Sequence, residues 1–202
     1  MPLSKGKDLH GSAPDESPVA LLLIDWINDL EFDSGDKLLP QALAAAKATA
    51  QLRKRAKSAG VPVIYCNDNF GKWRSDFRTL LEHLLHDEVR GRPIAELLKP
   101  DDQDYFVLKP KHSGFHSTSL DVLLAHLGVT TLILTGIACN YCVLFTAHDA
   151  YMRDFRLLVP RDCVASETEA DNRQALEHMA NACKADTAPS AGIDFARLKK
   201  AA

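Results

Sequence analysis

The fold of this chain is decided by one stretch, TTLILTGIACNYCVLFTAHDA, which runs from Thr130 to Ala150. An apolar run of strand length leads through a glycine into a segment with two cysteines, and a helix-forming pattern follows. Continuous apolar runs of this kind are typical of strands buried on both faces, as in parallel sheets. The stretch therefore predicts a strand–turn–helix unit whose turn carries Cys139 and Cys142.

Apolar runs and helical patterns alternate along the rest of the chain in the same way. The predicted strands are Val19–Asp25, 61–66, Tyr105–Lys109, 130–136 and 155–160. The predicted helices are 40–60, 76–89, 119–128, the segment after Cys142 and 167–183, with a short strand or turn and a last helix within 184–198. This alternation predicts a single-domain, three-layer α/β/α fold with a mostly parallel, Rossmann-like sheet of about five or six strands.

Length and composition are those of one ordinary globular domain. The chain has 202 residues, of which 46% are hydrophobic and 25% are charged. At this size a single core buries most of the apolar surface. Residues 1–17 are polar and contain Gly and Pro, so they are interpreted as a flexible N-terminal lead before a domain over residues 18–202.

The charge pattern argues against a nucleic-acid or membrane partner. The net charge is −3 and the sequence has no basic stripe that would bind phosphates. No apolar run reaches the roughly 18 residues that span a bilayer, and the first residues lack the apolar segment of a signal peptide. Five cysteines in a chain of this length are typical of reduced thiols, so a cytoplasmic location is predicted.

Reactive side chains are expected at the carboxyl ends of the strands, where parallel α/β sheets form their binding crevices. Asp25 ends the first predicted strand, Lys109 ends the third, and Cys142 follows the fourth. A thiol at a helix N-terminus near a lysine is expected to have a lowered pKa, and a carboxylate can accept and return its proton. With N–H groups of the turn as an oxyanion hole, these residues predict a cysteine hydrolase site without histidine.

Other interpretations of the same residues stay open at this point. A buried cysteine is often only a small apolar core residue, and Asp or Lys at a strand end is often a turn cap or a solvated charge. Cys139 and Cys142 form a C-x-x-C pair, so a thiol redox protein is one alternative and a binding protein without catalysis is another. The second C-x-x-C pair that a zinc site of this type needs is missing from the sequence.

Three blocks of the sequence resemble the isochorismatase-like cysteine hydrolase family, which includes nicotinamidases, N-carbamoylsarcosine amidase, ureidoacrylate amidohydrolase and isochorismatases. The blocks are ALLLIDWINDL, VLKPKHSGFHSTSLDVLLAHLGVTTLILTGIACNYCV and TAHDAYMRDFRLLVPRDCVAS. They follow one another with the spacing of the family, and the resemblance covers residues 18 to about 185. It identifies residues 18–202 as an isochorismatase-like hydrolase domain.

The resemblance implies a role for each residue of the predicted site. Asp25 matches the general acid/base of the family, Lys109 matches the lysine of its triad, and Cys142 matches its nucleophile. Cys139 stands where the family usually has threonine, which implies a bystander. The implied reaction is cleavage of a C–N bond in a small amide or ureide through a thioester on Cys142.

The resemblance also implies how the turn before the nucleophile is shaped. The family tends to hold a non-proline cis peptide there, which maps to Ile137–Ala138 in this sequence. The backbone N–H groups of Ala138 and Cys142 then match the oxyanion hole. The members of the family are commonly oligomers, so a homodimer or homotetramer is expected.

Two departures from known members narrow the substrate. The segment YCNDNFGKWRSDF lacks the histidines with which nicotinamidases bind a metal, so a metal-dependent nicotinamidase is disfavoured and neither a metal nor a cofactor is expected. Isochorismatases can lack the cysteine, so the presence of Cys142 disfavours isochorismate as the substrate. Vinyl ether hydrolysis of the isochorismatase type is kept as an alternative.

The small-molecule substrate is expected to contact aromatic and cationic side chains near the predicted site. The candidates are Trp26, Phe70, Trp73, Arg74, Phe115 and Tyr141. Arg74 is included because a guanidinium suits bidentate binding of a carboxylate.

Overall fold

A six-stranded sheet forms the centre of the fold in the computed structural model, which describes residues 16–68 and 76–200. Its strands are β1 (Val19–Ile24), β2 (Val63–Asp68), β3 (Tyr105–Lys109), β4 (Thr131–Ile137), β5 (Arg156–Leu158) and β6 (Val164–Ala165). The strand order is β3-β2-β1-β4-β5, and β6 pairs with the end of β4 beyond β5. Each of these pairings is parallel, which confirms the predicted class of sheet.

Seven α-helices connect and cover the strands in the described residues. They are α1 (Gly35–Ser58), α2 (Phe77–His86), α3 (Arg92–Leu97), α4 (Leu120–Leu127), α5 (Leu144–Tyr151), α6 (Glu169–Ala182) and α7 (Phe195–Lys200). A π-helical turn, Cys139–Val143, joins β4 to α5. None of the helices described is long and apolar enough to cross a lipid bilayer.

The sheet separates two hydrophobic cores, which gives the three layers that the sequence predicts. Successive side chains of a strand point to opposite faces, so β1 contributes Leu21 and Leu23 to one core and Leu22 and Ile24 to the other. The first core is completed by side chains of α1, α2, α3 and α7, and the second by α4, α5 and α6. Because both faces are covered, β1 and β4 are buried along their whole length, as their apolar runs indicate.

The register of the central strands places the predicted reactive residues side by side. Ile24 pairs with Cys66 of β2 and with Gly136 of β4. Asp68, the last residue of β2, pairs with Lys109, the last residue of β3. The carboxyl ends of β1, β2, β3 and β4 therefore lie at the same end of the sheet, and Asp25, which follows β1, lies between the ends of β2 and β4.

Several boundaries differ from the sequence-based prediction. Helix α1 begins at Gly35 rather than at Pro40, and Pro40 lies inside it. The short elements α3 and β6 were not predicted, because six and two residues respectively are too few to show a periodicity. Strand β5 is shorter than the predicted 155–160.

The N-terminal lead was predicted to extend to residue 17, but Ser17 is already packed. Its exposed fraction is 2%, and its N–H donates to the carbonyl of Leu127 at 2.9 Å. The lead over residues 1–15 lies outside the described residues.

Candidate active site

Asp25 is positioned by an irregular backbone at the end of β1. Its φ is +52°, a conformation that few residues other than glycine adopt. The Asp25 N–H donates to the carbonyl of Cys66 at 3.0 Å, and Oδ1 accepts the backbone N–H of Asp68 at 2.6 Å. With an exposed fraction of 4%, the carboxylate is buried and held by β2, the neighbouring strand.

Lys109, at the end of β3, lies at the centre of the site. Its side chain is fully buried, and Nζ lies 2.8 Å from Oδ2 of Asp25 and 3.5 Å from Sγ of Cys142. Nζ also lies 3.4 Å from Oδ2 of Asp68 and donates to the carbonyl of Lys111 at 3.3 Å. A single ammonium thus contacts two carboxylates and a thiol.

Cys142 lies in the π-helical turn after β4, with an exposed fraction of 9%. The N–H groups of Tyr141 and Val143 donate to the carbonyl of Ala138, which closes the turn. The Thr146 hydroxyl donates to the carbonyl of Cys142 at 2.7 Å and accepts the Gly114 N–H at 3.0 Å, which connects the turn to the loop after β3.

The peptide bond at the start of this turn, Ile137–Ala138, is cis. It follows the last residues of β4, where Gly136 and Ile137 pair with β6. The cysteine turn therefore starts from a strand end that is fixed on both sides.

The charges of the site are coupled, and burial is the largest influence on each. Burial raises the pKa of Asp25, and the charge of Lys109 opposes the rise. Burial alone would lower the pKa of Lys109, but the negative charges of Asp25, Cys142 and Asp68 raise it, so the ammonium stays charged.

The pKa of Cys142 is raised, which corrects the expectation that the site lowers it. Burial is the main cause, the charge of Asp25 adds to the rise, and Lys109 opposes it. The thiol also hydrogen-bonds to Asp25. These influences favour the neutral thiol of Cys142 over a thiolate in the resting site.

Cys139 lies on the other side of the same turn and has a different environment. Its side chain is fully buried in the second core, and burial raises its pKa to about 12. All five cysteines of the chain are free thiols in this structure.

Three of the predicted substrate-binding residues fall in the described parts of the chain, and two of them are core residues. Trp26 is fully buried and its Nε1 donates to the Thr135 hydroxyl at 3.1 Å. The Phe115 ring is also buried, packed against Phe155 and the Arg153 guanidinium. The Trp26 ring packs in the first core and the Phe115 ring in the second, which corrects the expectation that they face a substrate.

Tyr141 differs from these two rings, because it lies at the protein surface beside the cysteine turn. Half of its side chain is exposed, 51%. The other predicted contacts, Phe70, Trp73 and Arg74, lie outside the described residues.

Two residues of the site were not assigned a role from the sequence. Asp68 stands at a strand end in the sequence, but nothing in the sequence indicates that it contacts the ammonium of Lys109. His112, three positions after Lys109, has Nδ1 3.7 Å from Sγ of Cys142. Thirty residues separate His112 from Cys142, so this contact depends on the path of the loop after β3, which no motif in the sequence predicts.

The predicted absence of a metal stays a prediction. In the described ranges, no group of three or more His, Cys, Asp or Glu side chains is arranged to hold a metal ion. The segment on which the prediction was based includes residues 69–75, which the structure does not describe.

The fold and this site together define a three-layer α/β protein with a buried carboxylate, ammonium and thiol in contact at the carboxyl edge of a parallel sheet. The chain belongs to the isochorismatase family, because the family model described as isochorismatase domain matches residues 19–189. It is therefore a hydrolase of that family, as its sequence blocks indicate.

Three similar proteins place the chain within the family. An uncharacterised isochorismatase family protein of Bacillus subtilis is 42% identical over 162 residues, which cover 80% of this chain and 88% of the relative. The maleamate amidohydrolase of Pseudomonas putida is 30% identical over 156 residues, which cover 72% and 71%. Among solved structures, the pyrazinamidase/nicotinamidase of Streptococcus mutans has a TM-score of 0.64 at 28% identity and covers 84% of this chain and 99% of its own.

Proposed function

We propose that the protein is a cysteine hydrolase that cleaves a C–N bond of a small amide or ureide, with Asp25, Lys109 and Cys142 as its catalytic residues. One observation carries the proposal. A single buried ammonium lies 2.8 Å from the carboxylate of Asp25 and 3.5 Å from the sulfur of Cys142. A structural ion pair has no need of the thiol, whereas a nucleophile with its proton acceptor needs all three groups.

The first step is transfer of the thiol proton to Asp25 as the substrate carbonyl approaches. The S–H bond breaks, an O–H bond forms, and the thiolate attacks the carbonyl carbon. The raised pKa of Asp25, caused mainly by burial, makes it a stronger base than an exposed carboxylate. The ammonium of Lys109 stabilises the negative charge both on the Asp25 carboxylate before the proton transfer and on the Cys142 thiolate after it.

The second step is release of the nitrogen leaving group. In this proposal the oxyanion of the tetrahedral intermediate accepts hydrogen bonds from the backbone N–H groups of Ala138 and Cys142. The C–N bond breaks as Asp25 returns its proton to the nitrogen, and ammonia or an amine departs. The acyl group remains on Cys142 as a thioester.

The third step restores the free enzyme. Asp25 takes a proton from a water molecule, and the resulting hydroxide attacks the thioester carbon. The C–S bond breaks, the carboxylic acid leaves, and the proton on Asp25 returns to the sulfur.

The relatives support cleavage of an amide. The names of the maleamate amidohydrolase and of the pyrazinamidase/nicotinamidase both describe enzymes that act on amides. A redox role for the C-x-x-C pair gains no support, because the Cys139 thiol is fully buried and its pKa is raised to about 12. Buried free thiols also fit the proposed cytoplasmic location, and a homodimer or homotetramer remains the proposed assembly.

The test combines a substrate screen with detection of the covalent intermediate. Small amides and ureides, maleamate among them, are screened for ammonia release, and the protein is quenched in acid for intact-mass analysis. We expect an acyl adduct on Cys142 during turnover. Cys142→Ala should abolish both turnover and adduct, whereas Cys139→Ser should keep most of the activity, because the Cys139 side chain is buried in the second core and has no role in the proposed reaction.

Two results would overturn the assignment. If Cys142→Ala remained active while Cys139→Ser was inactive, the roles of the two cysteines would be reversed. If the protein released ammonia but Cys142 never carried an acyl group, the reaction would not proceed through a thioester.

A further inference from the structure

The nucleophile has a neighbour that the triad does not use. The imidazole of His112 lies on the loop after β3, and its Nδ1 is 3.7 Å from Sγ of Cys142, within hydrogen-bond distance for sulfur. Lys109 contacts the same sulfur from the buried end of the site at 3.5 Å. The sulfur therefore has two nitrogen neighbours, one buried and one at the surface.

Aromatic packing fixes the orientation of this imidazole. Its ring centroid lies 5.8 Å from that of Tyr141 and 5.3 Å from that of Phe145, and the rings are tilted by about 40° to each other. Tyr141 and Phe145 belong to the cysteine turn and the helix that follows it, so the ring that faces the sulfur packs on the same element that carries the sulfur. Contacts of this geometry are favourable between aromatic rings, so they favour the observed position of the imidazole beside the sulfur.

We propose that His112 is a further catalytic residue, whose Nδ1–H donates a hydrogen bond to Sγ of Cys142 and stabilises the thiolate. The proposal rests on the proposed function in one respect, namely that Cys142 is the nucleophile. Of the titratable groups near His112, Cys142 and Tyr141 face its ring directly, and Lys109 lies beyond the sulfur.

The thiol needs such a donor because its other surroundings oppose ionisation. Burial and the charge of Asp25 both favour the neutral thiol, and Lys109 is shared with two carboxylates. A hydrogen bond to the charged form of a group favours that form. His112 supplies it from the solvent side, where a substrate also has to enter.

The experiment measures the thiolate directly, by the rate at which iodoacetamide alkylates Cys142 between pH 6 and pH 10. Peptide mass spectrometry assigns the alkylated cysteine, and Cys142→Ala gives the background. His112→Phe keeps a ring between Tyr141 and Phe145 but removes the donor. His112→Asn restores an N–H group near the position of Nδ1.

We expect iodoacetamide to alkylate Cys142 about threefold more slowly in His112→Phe than in the wild-type protein at neutral pH. A rise of one unit in the pKa of the thiol lowers the thiolate fraction about tenfold, and the greater nucleophilicity of a more basic thiolate recovers about threefold of this. His112→Asn should recover the wild-type rate. The matched control is His116→Phe, which changes an exposed histidine on the same loop and should leave the rate unchanged.

The proposal is overturned if His112→Phe alkylates like wild type, if His116→Phe is slowed as much, or if His112→Asn is as slow as His112→Phe. Alkylation requires no amide substrate. A protein that hydrolyses no amide but shows the expected rates would therefore contradict the proposed function, while the hydrogen bond from His112 to the thiolate of Cys142 would stand.

Discussion

Single residues set the chemistry of this site, and Lys109 is the residue that connects them. Its ammonium is fully buried, and an unpaired buried charge would destabilise the fold by several kcal/mol. The contact with Asp25 at 2.8 Å offsets this destabilisation, and the contact with Asp68 at 3.4 Å offsets it further. The two carboxylates differ, because the Asp25 side chain is 6% exposed and that of Asp68 is 26% exposed.

This difference predicts that the two carboxylates contribute unequally to catalysis. Asp25→Asn removes the proposed proton acceptor, so kcat/KM should fall by about 10²–10⁴-fold. Asp68→Asn removes the negative charge from the longer and more exposed contact with Lys109, and it keeps the backbone N–H that holds Oδ1 of Asp25. Its kcat/KM should fall by less than about tenfold, since partly exposed charges are screened by solvent.

Steady-state kinetics on any substrate found in the screen make this comparison. Equal losses in Asp25→Asn and Asp68→Asn would contradict the assignment of Asp25 as the single proton acceptor. Circular dichroism of both variants shows whether either loss reflects unfolding.

The sequence predicts which residues come together in this site better than it predicts their pKa values and further contacts. Asp25 and Lys109 stand at strand ends and Cys142 lies in the turn after β4, so a parallel sheet brings them to one end, and the family resemblance assigned their roles. The pKa of Cys142 was predicted in the wrong direction, because burial depends on packing from elements that are distant in the sequence. The contact of His112 with the sulfur was missed for the same reason, since it depends on the path of a loop.

At the scale of elements, the junction of β1 and β4 controls where Asp25 lies. Gly136 pairs with Ile24 across this junction, and its φ is +145°. A Cβ added at Gly136 would meet the carbonyl oxygen of Ile24 at 2.2 Å and its Cβ at 2.8 Å. Only glycine fits here without moving the end of β1, and Asp25 is the next residue.

Gly136→Ala should therefore reduce both stability and activity. The overlap with β1 and the unfavourable φ together predict a loss of about 3 kcal/mol in the free energy of unfolding, measured by urea denaturation. The soluble fraction should also lose activity, because relief of the overlap displaces Asp25 from Lys109.

Gly192→Ala is the matched control for this variant. A Cβ at Gly192 would meet nothing within 4 Å, so its free energy of unfolding should stay within about 0.5 kcal/mol of wild type. A Gly136→Ala protein as stable and active as the Gly192→Ala protein would show that the strand junction tolerates a side chain.

Elements with strong patterns were predicted well, and weakly patterned ones were not. The apolar runs of β1 and β4 are buried along their whole length, and α4 ends before Gly128, as predicted, with this glycine in the left-handed conformation common at helix C-termini. The helix was predicted to begin at Pro40, where the Ala-rich segment starts, yet α1 begins at Gly35 and buries Gly35 and Leu38 in the turn before Pro40. The first residue of α1 thus depends on tertiary packing, which the local sequence does not predict.

At the scale of the whole molecule, the buried cysteines make the free energy of unfolding depend on pH. Burial raises the pKa of Cys66 and Cys139 to about 12 and that of Cys163 to about 11. In the unfolded chain these thiols ionise near 9, so between pH 9 and those higher values the folded state holds more protons. Each thiol therefore makes a stabilising contribution to the free energy of unfolding. This contribution is fully present below about pH 9 and is lost as the pH rises toward the folded-state pKa of the thiol.

Cys139→Ala should remove one part of this pH dependence. Between pH 8 and pH 10.5 a single thiol of this kind contributes a loss of about 2 kcal/mol, since each pH unit above the unfolded pKa is worth about 1.4 kcal/mol. The variant should be less stable than wild type at pH 8, because it leaves a small cavity in the second core. Urea denaturation at both pH values should show its deficit shrinking or reversing at pH 10.5. An equal deficit at the two pH values would show that Cys139 does not hold its proton in the folded protein, and that the burial seen in the second core does not govern its ionisation.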